Sequence, residues 1–109
     1  MNVILKKSDA AEPYSFSFQD ANGKVMVRSE NYKVKSSAIN GIESVKKNCS
    51  NDARYEMNEA KNGKLYFNLK ASNGQIVATS AMFDTAADRD ACIAELKHQG
   101  PDAVVTDQG

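Results

Sequence analysis

The amino-acid sequence predicts an α+β fold made by tandem duplication of a unit of three β-strands followed by one helix. Three observations carry this. The chain matches itself at an offset of 51 residues, each copy holds an Asn-Gly pair between runs of alternating apolar residues, and each copy then changes to helical periodicity. With 109 residues the chain has room for one domain. The two copies, about residues 1–51 and 52–103, are therefore expected to share one core as a single compact domain.

The offset is fixed by Asn22-Gly23 and Asn73-Gly74, and Phe16/Phe67, Ser29/Ser80, Ile42/Ile93 and Lys46/Lys97 are also identical. Apolar character repeats where identity does not, with Phe18 on Leu69, Val25 on Ile76, Tyr32 on Phe83 and Val45 on Leu96. The first strand is expected at about Val3 to Lys7. Asn22-Gly23 then predicts a type I′ hairpin turn with positive φ at both residues, pairing Ala21 with Lys24, Phe18 with Val27 and Phe16 with Ser29. Cross-strand partners share a face, so Tyr14, Phe16, Phe18, Val25 and Val27 form the apolar side and Ser15, Ser17, Gln19, Lys24 and Arg28 the other. A helix follows at roughly Ser36 to Asn48, with Ala38, Ile42 and Val45 at helical spacing. Gly41 costs about 1 kcal/mol there relative to Ala, which suits a helix pressed close to the sheet or to its twin.

In the second copy Asn62-Gly63 joins a strand at about Ala53 to Asn58 to one beginning at Leu65, and Asn73-Gly74 sets Leu69 opposite Ala78 and Phe67 opposite Ser80. The second helix has Thr85 as N-cap, Asp88 three residues on, a buried stripe of the Arg89 stem, Cys92, Ile93 and Leu96, and stop signals at Gly100-Pro101. Ala103-Val104-Val105-Thr106 is β-prone, but 104–109 reads as a frayed C-terminal tail.

Composition narrows function mainly by exclusion. Fourteen Lys and Arg offset fourteen Asp and Glu, so no net field draws nucleic acid or an anionic membrane. No apolar run reaches a membrane span and no export signal is visible, so the expected location is the cytoplasm. The one His, His98, lies in the last helical turn, where the helix dipole favours a cation. Cys49 and Cys92 occupy non-equivalent repeat positions without Cys-x-x-Cys spacing, and with one His they cannot make a zinc site. Six residues apart on one helix, Cys92 and His98 point to different faces. Asp84, Asp88 and Asp90 crowd a helix start, where acids cap and offset the dipole. No Gly-rich loop opens either helix to cradle phosphate. Neither a cofactor, a metal nor a catalytic residue is expected.

Two stretches, Asn40-Gly41-Ile42-Glu43-Ser44-Val45-Lys46-Lys47-Asn48 and Phe67-Asn68-Leu69-Lys70-Ala71-Ser72-Asn73-Gly74-Gln75-Ile76-Val77-Ala78-Thr79-Ser80, resemble the small bacterial YegP-like family, domain-of-unknown-function family 1508, in its duplicated subfamily. The resemblance runs from about Val3 to Ala103. It implies a single antiparallel sheet with both helices packed on one face, a pseudo-twofold axis, and exchange of the strands that follow the helices. It implies no known activity. The duplicated chain stands in for a dimer of single-repeat members, so a monomer is expected. The second helix lacks the pattern kept at 40–48.

A one-sided two-layer fold leaves a sheet face open. There the alternation places Met26, Arg28, Tyr66, Asn68, Lys70 and Val77 as a candidate interaction surface for a protein or peptide partner, beside Gln19 and Thr79. Lysines 33, 35, 46 and 47 near an outward Tyr66 raise nucleic-acid binding as a lesser alternative, weakened by the balanced charge. The function expected is a non-enzymatic binding or interaction module. The competing expectation is a small-molecule binder or minor enzyme using a pocket at the seam between repeats.

Overall fold

The computed structural model describes residues 1–108. Its elements are β1 (Asn2–Lys7), β2 (Tyr14–Gln19), β3 (Val25–Arg28), α1 (Lys35–Asn48), β4 (Tyr55–Glu59), β5 (Leu65–Lys70), β6 (Ile76–Ser80), α2 (Ala86–Gln99) and β7 (Val104–Asp107). A short 3-10 turn leads into each of β4 and β7. The strands form one seven-stranded sheet in the order β4-β5-β6-β3-β2-β1-β7. Phe16, Phe18, Val27, Phe67, Leu69 and Ala78 project from the sheet into a core closed by Ala38, Ile42 and Val45 of α1 and by Cys92, Ile93 and Leu96 of α2.

All three Asn-Gly turns use the same device, and it is not the type I′ turn. Gly23, Gly63 and Gly74 have φ of 80°, 83° and 85°, and among the described residues no non-glycine has positive φ. Gly23 N–H donates to Asp20 O, and Asp20 N–H to Lys24 O, so Asp20 rather than Ala21 closes against Lys24. This is a three-residue loop, a type I turn followed by a left-handed glycine, which needs only one residue at positive φ.

The turn starts the ladder one residue out of the expected register, and a bulge restores it. Gln19 pairs with Val25 but Phe18 with Val27, leaving Met26 as the extra residue. Lys70 pairs with Ile76 and Leu69 with Ala78, leaving Val77 extra at the equivalent place. At a bulge two successive side chains point the same way, so Met26 joins Val27 in the core and Val77 joins Ala78. Val25 instead pairs with outward Gln19.

The identical serines finish each hairpin. Ser29 Oγ accepts from Phe16 N–H at 2.9 Å and Ser80 Oγ from Phe67 N–H at 2.9 Å. Each hydroxyl then donates to the next backbone carbonyl, of Glu30 and Ala81.

The repeats meet where β3 runs antiparallel to β6, with Arg28 opposite Thr79. These two residues are 51 apart and so equivalent. At the helix ends a second equivalent pair touches: a Cβ on Gly100 would lie 2.8 Å from Cys49 Sγ. Equivalent residues meet only on a twofold axis, so the pseudo-twofold runs from Arg28/Thr79 through the sheet to Cys49/Gly100.

The strands that follow the helices are exchanged. After α1, β4 pairs antiparallel with β5 of the second repeat. After α2, β7 pairs with β1 of the first, and it pairs parallel. The sheet is therefore mixed, not wholly antiparallel, because β1 fills the place beside β2 that the twofold assigns to β7. Residues 104–107, expected to fray, form this strand: Val104 N–H donates to Met1 O, Gln108 N–H to Leu5 O, and Asp107 pairs with Lys35 at 2.5 Å. Gly109 lies outside the described residues.

Candidate binding surface on the open sheet face

The helices leave one sheet face bare, and the alternation of β1, β2, β3 and β5 decides which side chains reach it. Of the expected surface, Arg28, Tyr66, Asn68 and Lys70 point there, with Asn68 itself buried by its neighbours. Met26 and Val77 do not, because the two bulges turn them into the core.

The half of this face belonging to the second repeat is internally satisfied. Glu56 in β4 receives Lys70 Nζ at 2.6 Å, Asn68 Nδ2 at 3.3 Å and Asn58 Nδ2 at 3.3 Å. Thr79 Oγ1 donates to Asn68 Oδ1 at 2.8 Å. These donors, Lys70 foremost, hold the Glu56 carboxyl down at about 2 from its ordinary 4.5.

The half belonging to the first repeat is built from the same positions and satisfied differently. Ile4 pairs with Ser17 as Glu56 pairs with Asn68, and Lys6 pairs with Ser15 as Asn58 pairs with Tyr66. Ile4 thus stands where the second repeat has its carboxylate, and Lys6 and Arg28 stand where it has Asn58 and Thr79. The small serines leave a depression of about 250 Å³ whose lining includes Ile4, Lys6, Ser15, Ser17, Gln19 and Arg28. Among the described residues no acid lines it, and neither Lys6 nor Arg28 takes part in an ion pair. Across one intervening strand the two cations bracket the serines at a lateral spacing of roughly 10 Å.

Sequence alternation had placed Ser15 and Ser17 outward but gave Lys6 no site. Residues 8–13 hold no two-residue turn from which the β1–β2 register could be counted, so Lys6 could not be matched to Ser15. Glu56 was missed because the Asn62-Gly63 turn, counted as a two-residue loop, sets it opposite Leu69, whereas the three-residue loop sets it opposite Asn68.

A second concavity, of about 380 Å³, lies at the seam between the first hairpin and α2. Met26, Phe83 and Cys92 line it, with Asp20, Asp88 and Glu95 among its polar groups. Burial, with Glu95 adding to it, pushes the Cys92 thiol up to about 11, and burial also raises Cys49. Asp20 Oδ1 accepts from the backbone N–H of Asn22 and Lys24, Thr85 Oγ1 caps α2 by accepting from Asp88 N–H, and Asp84 pairs with Lys64 at 2.9 Å. Among the described residues no grouping of His, Cys, Asp and Glu could hold a metal ion, and His98 is exposed near the end of α2.

Two tandem β-hairpin and helix units with exchanged strands, and a polar open face, define a class of small duplicated scaffold. The model for the domain of unknown function DUF1508 matches residues 9–56 and again 60–107, each match running from a hairpin through a helix to the exchanged strand. The chain belongs to this family. It is 49% identical over 94 residues to a UPF0339 protein of Acinetobacter baylyi, covering 86% of this chain and 85% of that one. It is 43% identical over 104 residues to the UPF0339 protein YegP of Escherichia coli K12, covering 95% and 93%. The solution structure of a UPF0339 protein from Shewanella oneidensis superposes with a TM-score of 0.90 at 42% identity, covering 97% of this chain and 89% of that one. None of these names states an activity, a substrate or a partner.

Proposed function

We propose that the chain is a non-enzymatic binding module that engages a protein or peptide partner through its open sheet face. The observation that carries this reading is the depression over Ser15 and Ser17, framed by two cations without ion-pair partners among the described residues. The chemistry elsewhere fits a scaffold better than a catalyst. Both thiols are buried and raised, Asp20 holds a turn, Asp84 pairs with Lys64, and Asp88 lies in the first turn of α2, where an acid offsets the helix dipole. Balanced net charge argues against nucleic acid as the partner. Among the described residues no helix is long and apolar enough to cross a membrane, and we place the protein in the cytoplasm as a monomer whose duplication replaces a dimer interface.

Site-specific photocross-linking in living cells tests this. A cross-linker at Ser17 on the open face is expected to trap a discrete protein adduct that the same group at Glu43 on α1 does not. Equal trapping at both positions, or trapping at Glu43 alone, contradicts the reading. The 380 Å³ seam concavity favours a second reading, a small-molecule binder. In that case a metabolite should raise the melting temperature and lose its effect on Cys92→Phe, which fills the concavity.

A further inference from the structure

We infer that the first-repeat half of the open face is a receptor for a carboxylate presented by an acidic segment of the partner protein. This deepens the binding-module reading and rests on it. The second repeat shows the same positions in their filled state: an Oε1 and an Oε2 of Glu56 collect Asn58, Asn68 and Lys70. The first repeat keeps a polar floor at Ser17 and Gln19 and adds two cations, Lys6 and Arg28, but replaces the carboxylate with Ile4. Gln19 Nε2 already donates to Ser17 Oγ, so Lys6 and Arg28 are the donors left over, and their acceptor is missing. A carboxylate reaching the depression from outside restores the pattern, and the two cations make its attraction stronger than that of the neutral Asn58 and Thr79 positions opposite. A segment with successive acidic side chains can satisfy Lys6 and Arg28 together, since strand neighbours two residues apart are spaced about 7 Å.

The test measures binding of a fluorescein-labelled peptide of alternating glutamate and serine to the full chain by fluorescence anisotropy at low salt. Saturable binding is expected, weakened about two- to fivefold by Lys6→Ala and by Arg28→Ala, and left unchanged by Lys70→Ala. Ile4→Glu installs the internal carboxylate of the other half and should abolish binding, while Ile4→Gln should keep it. Should Ile4→Glu fail to fold, as judged by its amide spectrum, Arg28→Glu on the exposed strand gives the same expected loss. Unchanged binding to folded Ile4→Glu overturns the inference. So does equal or tighter binding of a single-stranded oligonucleotide of matched charge, which would mean general anion attraction, or free glutarate competing as well as the peptide. Weakening by Lys70→Ala alone moves the site to the other half and overturns this inference while leaving the open-face reading standing. No binding at all overturns the inference, and if no open-face cross-link forms either, the binding-module reading falls with it.

Discussion

The two repeats solve one packing problem with different atoms. In the first, Tyr32 stacks on Phe16 with ring centroids 6.4 Å apart, and its hydroxyl sits where a Cβ on Gly41 would come within 2.7 Å. In the second, Phe83 stacks on Phe67 at 6.4 Å, without a hydroxyl, and the residue equivalent to Gly41 is Cys92. The thiol adds bulk on the helix where the phenol oxygen is absent from the ring. The helix ends on the axis make a similar exchange, with Cys49 against the equivalent Gly100. Each cysteine therefore answers a glycine in the other copy, which is why neither cysteine has a cysteine at its repeat-equivalent position. Inside, differences between the repeats compensate one another; on the open face they do not, and the uncompensated positions are Ile4, Lys6 and Arg28.

The largest expected effects are those the repeats should share. Phe16→Ala and Phe67→Ala, both buried, should each cost about 3–5 kcal/mol in urea unfolding. A difference much beyond 2 kcal/mol between them would break the equivalence. Next come effects confined to one copy. Gly41→Ala should destabilise by about 1–3 kcal/mol through overpacking, and adding Tyr32→Phe should recover part of that loss by copying the second repeat. If Tyr32→Phe gives no recovery, the hydroxyl is not what Gly41 makes room for. Ser80→Ala strands the buried Phe67 N–H and should cost about 1–3 kcal/mol, with the more exposed Ser29→Ala costing less.

Smaller effects concern titration. Both thiols are raised by burial, so less thiolate exists at pH 8, and iodoacetamide should label neither cysteine until urea unfolds the chain. Glu56 titrates lower folded than unfolded, so its contribution is fully present above its ordinary 4.5 and is lost as pH falls toward about 2. The loss should be slight because the pair with Lys70 is solvent-screened. Carboxyl NMR should find Glu56 well below its ordinary 4.5, and Lys70→Ala should raise it.

Much of this was legible in the sequence because it is local. The duplication, the hairpin positions and the capping of α2 by Thr85 follow from turn residues and periodicity, whereas the pairing of Phe18 with Val27 and of Leu69 with Ala78 came out as expected only because each bulge offsets the one-residue shift of a three-residue turn. The bulges were not legible: Val25, Met26 and Val27 are all apolar, so nothing in their order shows which one turns outward, and a strict alternation sent Met26 and Val77 to the wrong face. The fate of 104–107 was hidden for another reason. Whether a β-prone tail frays or pairs depends on which sheet edge is free, and that follows from β1 occupying the place beside β2. The open-face site was hidden in two ways: Lys6 lies in a pairing without a countable turn, whereas Glu56 lies in the Asn62-Gly63 hairpin, where a two-residue count sets it opposite Leu69 and the three-residue loop, with no bulge to follow, sets it opposite Asn68.

The central claim is that the two halves of the open face differ in kind, one supplying its own carboxylate and one waiting for it. Amide NMR of the uniformly labelled chain during titration with the glutamate and serine peptide compares both halves in one sample. Saturable shifts are predicted at Lys6, Ser15, Ser17 and Arg28, with Tyr66, Asn68 and Lys70 still. Equal shifts in both halves, or shifts centred on Asn68 and Lys70, would contradict it.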